Sequence, residues 1–424
     1  MHLASGEQNT LNKSLAAVIA LSLLVSALAA TLPAHAATIS APPTIWENEY
    51  VAGDGYSVFQ LSDGSFILNA ANQTATFLIK TDSSSNPMWI RTIQIGAEPT
   101  VLPYLVLTSD GGYALAGMQN NQYTLAKTDS QGNLQWTKRY PSDAPVTYFR
   151  SFIQTTDGGF AIAGFGEPAE DTEGKIWFAK TDASGNLLWN ETLAGPLADC
   201  PSTIIQLADD GFMLSDVSYS VTPNQAYMKL IRTDSIGNVM WNQTYGDQGK
   251  YRIPEVNCAI KTADNDYLLG GFLSGRNTWV VKTDTDGKME WNQTYGDANS
   301  AITCAHATQD GGYIMSAVAN LTQAWILKTD GAGNEIWNVT FPGASFSVAL
   351  EANFNSVIQT QDDGFVVLGT KSGNAWLVKL ADKTSSFSEN ELIEIAAAST
   401  LTAVIVVSAV LYNQRKKRPI DFQK

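Results

Sequence analysis

Basic residues are scarce in this chain: Lys and Arg total 26 against 41 Asp and Glu, for a formal charge of −15 over 424 residues. Phosphate backbones need a basic surface, so nucleic acid is excluded as a partner class. The imbalance is concentrated in the middle of the chain, because Lys13 and the run Arg415-Lys416-Lys417-Arg418 lie at the ends. Such an acidic shell fits solubility, high-salt surroundings or divalent cations. Cysteine and histidine are each present only three times. An enzyme would show acid, base or metal-ligating residues converging on one place, and no such set is evident, so a non-catalytic role is expected. Long apolar runs are also missing, except at the two flanks.

Tryptophan, by contrast, is regularly placed. Trp46, Trp89, Trp136, Trp189, Trp241, Trp291 and Trp337 are separated by 43, 47, 53, 52, 50 and 46 residues. Five of them close near-identical phrases, TDSQGNLQW, TDASGNLLW, TDSIGNVMW, TDTDGKMEW and TDGAGNEIW, and Trp89 closes a weaker copy, TDSSSNPMW. A period of roughly 40–50 residues with several short apolar runs points to propeller blades and away from short solenoid repeats.

Each period holds four strand-like runs, here called a to d; in the third they are SFIQTT, GFAIAG, IWFAKTD and NLLWNETL. Asp157-Gly158-Gly159 separates a from b, and Asp182 to Asn186 separates c from d, both hairpin chemistry because glycine reaches positive φ without strain. Seven a/b turns and seven c-strands ending in Lys or Arg can be counted. The first run, TIWENEYV, is a d-strand with no blade before it, and the last blade lacks its d-strand. The expected fold is therefore all-β, a seven-bladed propeller of four-stranded antiparallel blades closed by the N-terminal strand, which removes the exposed edges. The tryptophan series is expected to be core, each ring contributing up to about 5 kcal/mol as an upper bound. The recurring Lys or Arg is read as a structural partner for turn aspartates.

The pattern D-x-x-G-N-x-x-W resembles the tryptophan-docking repeat of quinoprotein (PQQ-like) propellers, in which a Trp after an Asp/Gly turn packs between blades. The phrases DGGY/F, KTD and GN..W also resemble the repeats of uncharacterised prokaryotic, often archaeal, cell-surface propellers. The first resemblance would imply PQQ and calcium. The vicinal cysteine pair and the calcium-binding acidic cluster associated with quinoprotein dehydrogenases have no match here, so PQQ is not expected and the cofactor expectation is none, with calcium as the alternative.

The flanks predict location. Leu15 to Ala30 is apolar, with Lys13 before it and Ala34-His35-Ala36 after it, the pattern of a secretory signal over 1–36. The propeller is assigned to 37–383 and a short polar stalk to 384–391. The apolar segment 392–412, at about 20 residues, is long enough for a transmembrane helix, and the basic tail 413–424 stays cytoplasmic. A single-pass cell-surface glycoprotein with its propeller outside follows, with six N-x-S/T sequons beyond the signal, at Asn72, Asn190, Asn242, Asn292, Asn320 and Asn338.

Departures from the repeat are the functional pointers, because a ligand site breaks patterns that folding would keep. Four residues before the turn Asp, strand a carries Phe59, Val106, Ile153, Ile205, Ile260, His306 and Ile358; one residue later Lys261 replaces a recurring Gln. His306 and Lys261 are therefore candidate ligand contacts in the central channel, with a structural histidine as the plainer reading. The d/a loop with Asp247, Lys250, Tyr251 and Arg252 suits recognition. The b/c loop with Glu167, Glu170, Asp171 and Glu173 offers oxygen ligands to a hard cation. Asp284-Thr285-Asp286-Gly287 reads as an ordinary turn. Cys258 and Cys304 share one strand-a position in adjacent blades, so a disulfide would form between them if their Cα atoms came within about 7 Å. The expected function is an extracellular binding, adhesion or envelope-interaction module for a glycan or protein; the alternative is an enzyme at the channel mouth, PQQ-like or acting on polysaccharide.

Overall fold

The computed structural model describes residues 41–140, 146–167, 174–193, 198–220, 225–246, 254–273, 277–296, 300–320, 322–346 and 356–381. Among them are six four-stranded antiparallel sheets and a seventh built from both ends of the chain. Blade 3 is typical, with Val146–Gln154 innermost, then Phe160–Glu167, Lys175–Thr181 and Leu187–Leu193. In blade 7 the strand Asn374–Leu380 pairs with the N-terminal strand Thr44–Ala52, Trp46 lying opposite Lys379. Closure by the N-terminal strand, expected from the two terminal defects, is the observed arrangement.

The a/b and c/d turns lie on one face of the disc, here the lower face, and the b/c and d/a connections on the upper. In the a/b turn of blade 2, Gly111 takes φ 79°, and Asp110 accepts from Thr108 Oγ1 at 2.6 Å and from the Gly112 amide at 3.1 Å. The c/d turn caps itself: Asp182 Oδ1 accepts the Ser184 and Asn186 amides at 2.9 and 2.8 Å. Asp284 does the same for Asp286 and Lys288, so that segment is a turn, as expected.

The recurring cation at the end of strand c reaches back to the a/b turn. Lys127 meets Asp110 at 2.8 Å, Lys180 meets Asp157 at 2.7 Å and Lys328 meets Asp310 at 2.8 Å; Arg232 pairs with Asp209 and Lys379 with Asp362 in the same way. These ammonium and guanidinium groups are buried while their carboxylates face water, so the pairs tie strand c to the lower rim without stranding a charge.

The tryptophan series departs from expectation. Trp337 is buried, but the other six are only half-buried. Strand d is the outermost strand, so one ring face packs inward and the other meets solvent. The inward face rests on the next blade's c/d turn glycine: a Cβ added at Gly287 would stand 2.9 Å from Trp241, and one at Gly333 2.9 Å from Trp291. Tyr140 and Tyr295 clamp the same seams by donating to the carbonyls of Gly185 (2.8 Å) and Gly333 (2.6 Å). Blade 1 has no glycine there; Ser85 adopts φ 70° and accepts from Tyr50 Oη and Asn48. The deeper core lies between sheets, in seven apolar clusters such as Ala163, Ile176, Phe178, Leu214 and Ile231 between blades 3 and 4.

Candidate binding sites on the axis and upper face

The innermost strands enclose a central cavity of about 230 Å³, lined by Phe59, Val106, Ile153, Ile260 and His306 among others. His306 adds an imidazole to a mainly apolar waist that Ser57 and Ser151 also line. It is half-buried.

Lys261 lies elsewhere. It ends its strand at the a/b turn and is exposed, at the lower mouth. Its counterparts explain the position: Gln154 Oε1 accepts the Ser109 amide of the preceding blade at 2.7 Å, Gln206 the Thr156 amide at 2.8 Å, and Gln359 the Gln309 amide at 2.8 Å. Each glutamine braces one blade to the last. An ammonium has no acceptor to offer, so Lys261 gives up that brace. The structure thus puts Lys261 on the face opposite the d/a loops and does not group it with them. Asp247, Lys250, Tyr251 and Arg252 lie outside the described residues, as do Glu170, Asp171 and Glu173, and of Glu167 only the backbone is described. Among the described residues no group of His, Cys, Asp or Glu is arranged to hold a metal ion.

The disulfide is not formed. Cys200, Cys258 and Cys304 are free thiols. Burial, and secondarily the nearby Cys304, push the Cys258 thiol well above its ordinary range, and burial raises Cys304 to about 11. Both stay protonated and inert, Cys258 in the packing between blades 5 and 6 and Cys304 in that between blades 6 and 7.

Two features escaped sequence reasoning. One is an upper-face groove of about 680 Å³ at the junction of blades 7, 1 and 2, lined by Asp54, Tyr56, Asn72, Gln73, Thr74 and Val101 among others. Asp54 accepts from Thr370 Oγ1 at 2.9 Å. Asn72 Oδ1 accepts from Thr74 and Ala75 while its Nδ2 donates to the Ala52 carbonyl at 3.2 Å, so this sequon asparagine is committed to shaping the groove.

The other is a buried ionic cluster in blade 4. Lys229 Nζ lies 3.0 Å from Asp199 and 3.6 Å from Asp216, and Ser218 Oγ donates to Asp199 at 2.7 Å. All four are buried, and Asp216 is 0% exposed. Neither Asp216 oxygen completes a regular hydrogen bond. Its carboxyl is pushed far above the ordinary range by burial first and by the Asp199 charge second, with Lys229 opposing. Burial and the neighbouring Asp199 thus favour the protonated form of Asp216, the form in which the two acids and one base of the cluster carry no net charge. A signal was present in the sequence. The residue opposite strand c is small in every other blade (Ala70, Gly117, Gly164, Gly271, Ala317, Gly369), and its partner is Phe77, Thr124, Trp177, Trp279, Trp325 or Trp376.

No family model matches the chain, and no curated protein matches it. Solved structures do. A polysaccharide lyase, an ulvan lyase bound to -[GlcA(1-4)Rha3S]-, aligns at 9% identity and TM-score 0.54 over 80% of this chain and 96% of that one. Drosophila plexin A in complex with semaphorin 1b aligns at 8% identity and TM-score 0.49 over 81% and 88%. A protein of unknown function from Dyadobacter fermentans aligns at 9% identity and TM-score 0.47 over 81% and 100%. The lyase likeness agrees with the propeller fold and carries no chemistry across at that identity.

Proposed function

We propose that this protein is a membrane-anchored extracellular propeller that acts as a non-catalytic binding module, taking a glycan or a protein on its upper face. The observation that carries this reading is where the ring begins and ends. Strand c of blade 7 ends at Leu380 and the closing strand begins at Thr44, both on the lower face, and the Ala381 amide donates to the Pro43 carbonyl at 3.0 Å. The apolar segment that starts at Leu392 follows only 11 residues after Ala381. A tether that short turns the lower face towards the bilayer and the upper face outward. The outward face bears the groove over Asp54, Tyr56, Asn72 and Thr74, whose volume falls within the roughly 300–1,000 Å³ usual for ligand sites. An aromatic ring beside amide and hydroxyl groups suits a sugar.

The test is a glycan array probed with the full chain in detergent, followed by a search for reaction products on any polysaccharide retained. Binding that falls at least about tenfold in Tyr56→Ala supports the reading, a loss of about 1.4 kcal/mol. New chain ends or unsaturated sugars would replace it with the polysaccharide-acting enzyme, and calcium-dependent uptake of PQQ with the oxidoreductase.

A further inference from the structure

The ionic cluster of blade 4 occupies a seam, and that placement gives it a use independent of any ligand. Leu214 and Ile231 pack with Ala163, Ile176 and Leu193 of blade 3. Asp216 and Lys229 lie two residues along their strands from Leu214 and Ile231, so strand alternation points them at blade 3 as well. At the same end, the Asp199 amide donates to the Gly174 carbonyl of blade 3 at 3.0 Å. In five of the other six blades this spot is filled by an aromatic over a small residue, blade 2 carrying Thr124 instead: Trp376 lies opposite Gly369, and Trp177 stacks on Tyr123 of the preceding blade at 4.5 Å and 9°. Blade 4 replaces both members of that pair, Gly or Ala by Asp216 and the aromatic by Lys229, and Asp199 stands beside them.

A buried ionic cluster holds a seam less firmly than well-packed apolar side chains of similar volume. It also does something an aromatic cannot, which is to change charge. We propose that the seam between blades 3 and 4 is a proton-operated latch: protonated Asp216 leaves the cluster neutral and the seam closed, and loss of that proton to solvent leaves one uncompensated buried negative charge and opens the seam at its upper end. The groups around Asp216 are Asp199 and the Cys200 backbone on strand a, Ser218 on its own strand and Lys229 on strand c; the blade 3 side chains of the cluster, Ala163, Ile176 and Leu193, carry no charge. The direction follows from linkage. The closed seam holds the proton and the open seam, with Asp216 solvated, does not. Opening therefore increases as pH rises from the ordinary carboxyl range to the raised value of the closed state, roughly tenfold per pH unit, and is level above it.

Hydrogen exchange of the full chain, read by mass spectrometry at about pH 5.5 and about pH 8.5, tests this when strands Phe160–Glu167 and Ala198–Gln206 are compared with strands Tyr313–Ala319 and Gln323–Thr329 of blade 6. Using blade 6 as the internal reference removes the intrinsic pH dependence of exchange. The expected result is a seam-to-reference ratio that rises at least about tenfold at the higher pH. Asp216→Asn, which cannot ionise, should flatten the ratio. The double substitution Asp216→Gly with Lys229→Trp, which restores the pair used by blades 3, 5 and 7, should flatten it too and keeps the test valid if Asp216→Asn does not fold. A ratio independent of pH in the wild type, or a pH dependence that survives either substitution, overturns the latch.

Discussion

At the scale of single residues, the lower rim is an acid-sensitive fastening. For Asp110 and Asp157, burial alone would raise the carboxyl, but hydrogen bonds from Lys127 or Lys180, from a threonine hydroxyl and from a glycine amide outweigh it and hold both at about 2. Asp264 is held at about 2 by Thr262 first and then by Lys282, again against burial. Because these values are depressed, the stability they contribute is complete above the ordinary carboxyl value and is lost as pH falls from about 4 towards about 2. The carboxylates are more than half exposed, at 56%, 58% and 60%, so solvent screens each pair to about 1 kcal/mol or less. Asp157→Asn should accordingly lower the unfolding free energy by about that amount at neutral pH and leave it unchanged near pH 2. Denaturant titrations of the two proteins at both pH values check this, and an equal difference at both would remove the ion pair as the cause.

At the scale of strands and turns, blade cohesion depends on tryptophan meeting glycine. Gly287 has φ 79° and its added Cβ would meet Trp241 at 2.9 Å, whereas Gly111 has the same φ of 79° with nothing within 4 Å. The two positions separate backbone strain from packing. Gly111→Ala should cost about 1 kcal/mol for its conformation alone, while Gly287→Ala should cost about 1–3 kcal/mol more because the indole must move. Equal losses in denaturant unfolding would mean that the tryptophan yields freely. The turn phrases were legible as turns because Asp and Gly act locally, through Asx bonds and positive φ. The half-exposure of the tryptophans was not, since it depends on strand d being outermost, a property of the ring. The Asp216 departure was open to the same blade-by-blade comparison, since strand b carries Gly or Ala at that position in every other blade, but that Lys229 lies opposite it and Asp199 beside it depends on the register of the folded sheet. Sequence reasoning compared strand a alone, and so found His306 and Lys261, one on the axis and one at the lower mouth.

At the scale of the whole molecule, the blade number and the mode of closure were readable because two defects, an orphan d-strand and a blade lacking one, complement each other. The upper-face groove was not, because it draws on blades 7, 1 and 2, which meet only once the ring is closed. Closure rests on more than backbone pairing. Glu47 of the closing strand accepts from Lys371 Nζ at 3.0 Å and from Trp376 Nε1 at 3.1 Å, and those two bonds draw its carboxyl below the ordinary range. Asn48 and Tyr50 reach on to Ser85 in blade 1, and Trp46 packs edge-on against Phe66 at 5.9 Å. One strand thus fastens blade 7 to blade 1. Deleting the residues through Ala52 would expose the outer edge of Asn374–Leu380 together with the apolar residues that Trp46, Tyr50 and Val51 cover. An unprotected strand edge recruits another. The truncated protein should therefore self-associate, with light scattering that increases with concentration, and a synthetic peptide of Thr44–Ala52 added in excess should return it to monomer by pairing with that edge. A truncated chain that stays monomeric without the peptide would show that the remaining blades hold the ring without a closing strand.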